Sequence, residues 1–138
     1  MSAIVVDGLR WEVRVRGTGV PLLMLHGFTG RSTAWGAHAT AFRRRFRVIV
    51  VDLPGHGAST APLSDLYGDA EYVASVLRGV GTPAVLVGHS YFANVLIEVA
   101  ARGNFPGRMV LISPSLDRAA EAKDLRDLDR FSRNPLLR

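Results

Sequence analysis

Four short, uninterrupted apolar runs dominate the chain: Leu22–Leu25, Val48–Val51, Ala84–Val87 and Met109–Ile112. Runs of this length, rich in β-branched residues, suit strands buried on both faces, which requires a parallel sheet covered by helices. Helical stretches fall between them, at about Thr33–Phe42, Asp65–Gly79 and Tyr91–Arg102. Ahead of the first run the pattern differs. Ala3–Val6 and Arg10–Arg16 read as two strands joined by Asp7-Gly8, a hairpin-turn pair. In the second, Trp11, Val13 and Val15 alternate with charged residues, which predicts one buried face and one wet face. The predicted order is therefore a β-hairpin followed by βαβαβαβ, an α/β fold with right-handed crossovers.

The 138 residues make one domain, with a core over about 3–115 and a tail helix over about 116–130 that ends before Asn134-Pro135. No apolar run approaches the ~20 residues of a membrane helix. The N-terminus lacks the basic and apolar segments of a secretory signal. There are no cysteines, which removes disulfides, thiolate catalysis and cysteine-ligated zinc. The expected compartment is the cytoplasm. The formal net charge is +5, and every basic residue except Lys123 is arginine. The densest group, Arg43-Arg44-Arg45 with Arg47, sits at the end of a predicted surface helix, without the aromatic or groove-entering elements of a nucleic-acid surface. Neither nucleic acid nor a membrane is an expected partner.

Three motifs carry chemistry, each directly after an apolar run. Gly88-His89-Ser90 stands between a strand and a helix. A serine at such a turn projects its hydroxyl above the carboxyl edge of the sheet, and the small residue two positions earlier admits the tight backbone. The helix that follows points its positive end at developing negative charge. Position 92 is phenylalanine where a G-x-S-x-G pattern has its second glycine, so either the helix shifts or the ring fills a gap. His26-Gly27-Phe28-Thr29-Gly30 follows the first run; read alone, its histidine is equally a packed or backbone-bonded residue. Asp52 to Ser59, DLPGHGAS, forms a Pro/Gly-constrained loop read as shaping the site, with direct catalysis by Asp52 or His56 as the alternative.

In this order, HGFTG, DLPGHGAS and GHS resemble the α/β-hydrolase superfamily. Within it they are most similar to small cytoplasmic esterases, C–C bond hydrolases and the menaquinone-pathway lyase that forms succinyl-hydroxycyclohexadiene carboxylate. The resemblance covers roughly Trp11 to Ser115. It implies Ser90 as nucleophile and the backbone N–H groups of Phe28 and Tyr91 as oxyanion donors, with His26, Gly27, Gly88 and His89 shaping the site. It implies a small-molecule substrate and no metal or organic cofactor.

The superfamily's triad runs Ser, then Asp or Glu, then His. All four histidines here, His26, His38, His56 and His89, precede Ser90. Asp117 stands where some relatives place the acid and reads equally well as a helix cap. The expectation is the N-terminal half of an α/β-hydrolase domain, truncated before its last strands, with Met109–Ile112 as an exposed apolar edge inviting a homodimer. Three readings follow: a serine hydrolase or related lyase with an incomplete chain, a non-catalytic binding or interaction module, and a dimer completed by His56 or His38 of a second copy.

Overall fold

The fold, a computed structural model, describes residues 2–6, 9–60, 62, 64–80, 85–103, 105 and 107–114. Six strands form one sheet: β1 (Ser2–Val6), β2 (Leu9–Arg16), β3 (Val20–Leu25), β4 (Phe46–Val51), β5 (Val85–His89) and β6 (Arg108–Ile112). Their spatial order is β1-β2-β4-β3-β5-β6. β2 pairs antiparallel with both β1 and β4, and the ladders among β4, β3, β5 and β6 are parallel. The helices are α1 (Gly36–Phe42), preceded by a 3₁₀ turn over Ser32–Trp35, then α2 (Leu66–Val80) and α3 (Tyr91–Ala101). What reads in the sequence as one helix from Thr33 is thus a 3₁₀ turn leading into a short α-helix. The predicted tail helix lies outside the described residues.

The first three apolar runs, Leu22–Leu25, Val48–Val51 and the described Val85–Val87, pack on both faces, as a covered parallel sheet demands. Leu23, Leu25, Ile49, Val51 and Leu86 face α2 and α3, while Leu22, Met24, Val48, Val50 and Val87 face Trp35 and Ala39 on the α1 side. Helix α2 turns Ala70, Val73, Ala74 and Leu77 inward, and α3 turns Phe92, Val95, Leu96 and Val99, the i, i+3, i+4, i+7 stripe of an amphipathic helix. Arg102, just past α3, pairs with Glu98 at 2.8 Å and with Glu71 of α2, bridging the two helices on their outer side.

Strand β2 departs from its predicted alternation. Val13 is buried, but Val15 is 48% exposed and Glu12 only 6% exposed. Burial is graded along the strand because it runs antiparallel to β4. Val13 lies opposite Val51 at the crowded carboxyl edge, and Arg16 lies opposite Val48 toward the open end. Glu12 sits beside the Asp52 loop, where its carbonyl accepts the Asp52 N–H at 3.0 Å.

Strand β6 pairs with β5 and with no other strand among the described residues. Met109 and Leu111 pack on the α2/α3 core, while Val110 and Ile112 stay 48% and 38% exposed on the other face.

The order β4-β3-β5 places consecutive connections on opposite sides of β3, and loops gather at the carboxyl ends of these three strands. Helix α3 approaches β5 closely because Gly88 has no side chain: a Cβ there would stand 2.9 Å from the Phe92 carbonyl oxygen and 3.0 Å from the Ala93 Cα. Phe92 therefore does not push the helix away. Its ring is fully buried among Tyr91, His26 and His56, at centroid distances of 5.0, 5.9 and 6.0 Å. It fills the space between α3 and the overlying loops. Phe92→Ala is expected to cost about 3–5 kcal/mol. Phe92→Gly, which restores the G-x-S-x-G pattern, should cost about 1 kcal/mol more through helix propensity. Urea unfolding of the variants checks both values; a neutral Phe92→Gly would contradict the packing role.

Candidate active site

Ser90 lies between β5 and α3 with φ 55° and ψ −127°. A side-chain-bearing residue at positive φ outside the left-handed basin stores on the order of 1–3 kcal/mol of strain, kept only where its surroundings impose it. Here they do. The Ser90 N–H donates to the Ile112 carbonyl of β6 at 2.9 Å, and the Ser90 carbonyl accepts the Ala93 N–H at 2.9 Å. The residue is half-buried, with His89 exposed beside it.

The loop after β3 lies against this turn. A Cβ on Gly27 would stand 2.8 Å from His89 Nδ1 and 3.4 Å from Ser90 Cβ, so glycine lets the loop lie here without displacing the His89 ring. The Gly27 carbonyl faces His26 Nδ1 at 2.7 Å and accepts the Gly30 N–H at 2.9 Å. His26 Nε2 accepts the Leu53 N–H at 3.1 Å. Since an amide N–H can only donate, Nε2 is unprotonated and Nδ1 carries the proton that goes to Gly27. Burial lowers the His26 pKa to about 4, against the raising effect of the Gly27 hydrogen bond, so the ring is neutral near pH 7. The Gly27–Phe28 peptide, whose N–H belongs to Phe28, thus has two donors on its oxygen, which polarise that N–H.

The loop after β4 is tied in the same way. Asp52 Oδ1 accepts the Ser32 N–H at 2.7 Å and Oδ2 accepts the Ala58 N–H at 3.0 Å. Burial alone pushes this carboxyl up, but the two N–H donors outweigh it and hold it below its ordinary value. His56 Nδ1 faces the Pro54 carbonyl at 2.6 Å, and its Nε2 faces the Phe28 carbonyl. The two ring nitrogens thus face backbone oxygens of two different loops, and a neutral ring donates its single N–H to one of them.

A cleft of about 320 Å³ opens beside the elbow, lined by His26, Gly27, Ala34, Trp35, His38, His89 and Ile112. The structure thus brings Gly27, Gly88, His89 and Ser90 into contact, with Phe28 and Tyr91 edge-to-face at 5.7 Å. His38 is exposed on α1 with its ring on Trp35. Asp117 lies outside the described residues.

One residue at this site has no counterpart in the sequence reading. Asp69, in the first turn of α2, is fully buried; its Oδ2 accepts the Tyr91 hydroxyl at 2.8 Å and its Oδ1 accepts the Ser64 N–H at 3.1 Å. Burial raises its pKa to about 6, against the lowering effect of those two bonds. An acid in a first helical turn reads as a complement to the helix dipole, and nothing in the spacing ties it to Tyr91.

Residues 22–138 match the model of the alpha/beta hydrolase family. An uncharacterized protein of Mycobacterium tuberculosis is 35% identical over 115 residues, covering 78% of this chain and 33% of that protein. A pimeloyl-[acyl-carrier protein] methyl ester esterase of Nitrosospira multiformis is 33% identical over 91 residues, covering 62% and 35%. The structure of a thermophilic esterase from Thermogutta terrifontis superposes with a TM-score of 0.77 at 26% identity, over 96% of this chain and 53% of that one. The chain belongs to the alpha/beta hydrolase family and spans about a third of the length of these curated relatives.

Two predictions come from this geometry. Ser90→Gly relieves the positive φ and Ser90→Ala retains it, so the glycine variant is expected to be the more stable by about 1 kcal/mol in urea. Equal stabilities would mean that the turn is unstrained. The second concerns pH. His26 titrates near 6.5 unfolded and about 4 folded, so its contribution to stability is complete above pH 6.5 and is lost as pH falls toward 4. Asp69 titrates near 3.8 unfolded and about 6 folded, so its contribution is complete below pH 3.8 and is lost as pH rises toward 6. The two slopes oppose each other. Asp69→Asn removes the second, and its urea midpoint should climb more steeply between pH 4 and 6 than that of the wild type. Parallel curves would refute the assignment.

Proposed function

We propose that this chain carries the nucleophile half of a serine hydrolase acting on a small ester-like or C–C substrate. In this reading Ser90 Oγ attacks the substrate carbonyl carbon, and its proton passes to a general base. The carbonyl oxygen becomes an oxyanion that accepts hydrogen bonds from the Phe28 and Tyr91 N–H groups. Collapse of the tetrahedral intermediate expels the leaving group and leaves an acyl-serine, which water hydrolyses. The observation that carries the reading is the turn at Ser90, held at positive φ between β5 and α3 beside Gly27, a strain of the kind that clusters at active sites. The esterases among the similar proteins support the substrate class.

In this reading the base is neither His26, whose two ring nitrogens are both hydrogen-bonded to backbone groups, nor His56, whose two ring nitrogens face the Pro54 and Phe28 carbonyls. The family order places the acid and then the histidine after the nucleophile. The same engagement of two histidines favours, as a second reading, a non-catalytic module that binds a small carbonyl compound in the cleft.

Fluorophosphonate labelling of the full chain, followed by intact mass, separates the two. The hydrolase reading expects one adduct in the wild type and none in Ser90→Ala. No adduct on folded wild-type protein overturns it in favour of the binding module.

A further inference from the structure

We propose that Asp69 is a positioning residue for the oxyanion site: by holding the Tyr91 hydroxyl, it fixes the direction of the Tyr91 main-chain N–H. The inference rests on the hydrolase reading above and adds to it a residue some twenty positions from the nucleophile.

Ser90 is the strained residue of the elbow. The torsion through which this residue relaxes most directly is its ψ, and rotation about ψ swings the Ser90–Tyr91 peptide, which carries the Tyr91 N–H. Tyr91 is also the first residue of α3, where the backbone has no preceding turn to hold it. A donor here keeps its direction only if its own residue is anchored from elsewhere.

The Tyr91 side chain is such an anchor. It is 7% exposed. Its ring meets Phe28 edge-on at 5.7 Å and Phe92 at 5.0 Å, and its hydroxyl ends on Asp69 Oδ2 at 2.8 Å. The hydroxyl bond ties the start of α3 to the start of α2.

The acceptor suits the task. Asp69 is fully buried and is itself held by the Ser64 N–H at 3.1 Å. A buried carboxyl is costly where packing alone is needed, and an apolar residue would fill the volume. A hydrogen bond to a charged acceptor is comparable in size to the strain it must oppose. Phe28, source of the other proposed donor, packs on the same tyrosine ring, so one anchor serves both sides of the oxyanion site.

The test uses the full chain with Asp69→Ala, Asp69→Asn, Tyr91→Phe and the Asp69→Ala/Tyr91→Phe double variant. It reads the rate of Ser90 fluorophosphonate labelling, and kcat and KM on a short-chain p-nitrophenyl ester. Tyr91→Phe and Asp69→Ala are each expected to lower kcat and the labelling rate about 10- to 100-fold, with KM little changed. The double variant should be no worse than either single one. Asp69→Asn, which keeps an oxygen acceptor, should restore most of the rate. Folded Tyr91→Phe that labels at the wild-type rate overturns the positioning role alone, and so does a double variant whose losses multiply. A folded wild type that takes no label overturns the hydrolase reading, and this inference with it.

Discussion

Ser90 sits in a conformation that a free chain would abandon, and the whole carboxyl edge of the sheet is arranged around keeping it there. The β6 carbonyl of Ile112 takes its N–H, while Gly88 lets α3 begin close against β5. Gly27 lies in the neighbouring loop beside it, where even a Cβ would come within 3.4 Å of the Ser90 Cβ. The contacts come from β6, from β5 and from the loop that follows β3, so the turn persists only once β3, β5 and β6 have paired. Local strain and sheet topology are here a single constraint.

The buried polar groups around it serve the same end. His26 is neutral and spends both nitrogens joining two loops, Asp52 collects the N–H groups of Ser32 and Ala58, and His56 spans the Pro54 and Phe28 carbonyls. Loops at a sheet edge carry backbone donors and acceptors that strands and helices leave unmatched, and burying them requires partners. Supplying those partners from side chains ties the loop after β3 and the loop after β4 into one body. The Phe92 ring completes it from below, in contact with both histidines and Tyr91.

Much of this was legible beforehand, for reasons that differ by residue. The strands and helices followed from hydrophobic period, because a residue buried on a two-sided sheet has no polar alternative. The elbow followed from a small residue, a serine and a helix start directly after an apolar run. Glu12 and Val15 were misassigned because alternation reports only which face a residue takes, whereas burial in β2 depends on how far along β4 it lies. Asp69 was invisible because its partner is 22 residues away, with no periodic relation between the two.

The sequence by itself determined the α/β architecture, the order of its elements and the placing of three motifs at strand ends, since these depend on neighbours within a few residues and on a period the chain repeats. Only the tertiary structure decided the protonation of His26, the double engagement of His56, the role of the Phe92 ring and the meeting of Asp69 with Tyr91. Those depend on which loops the strand order β4-β3-β5 brings together, and on how deeply each group is then withdrawn from water.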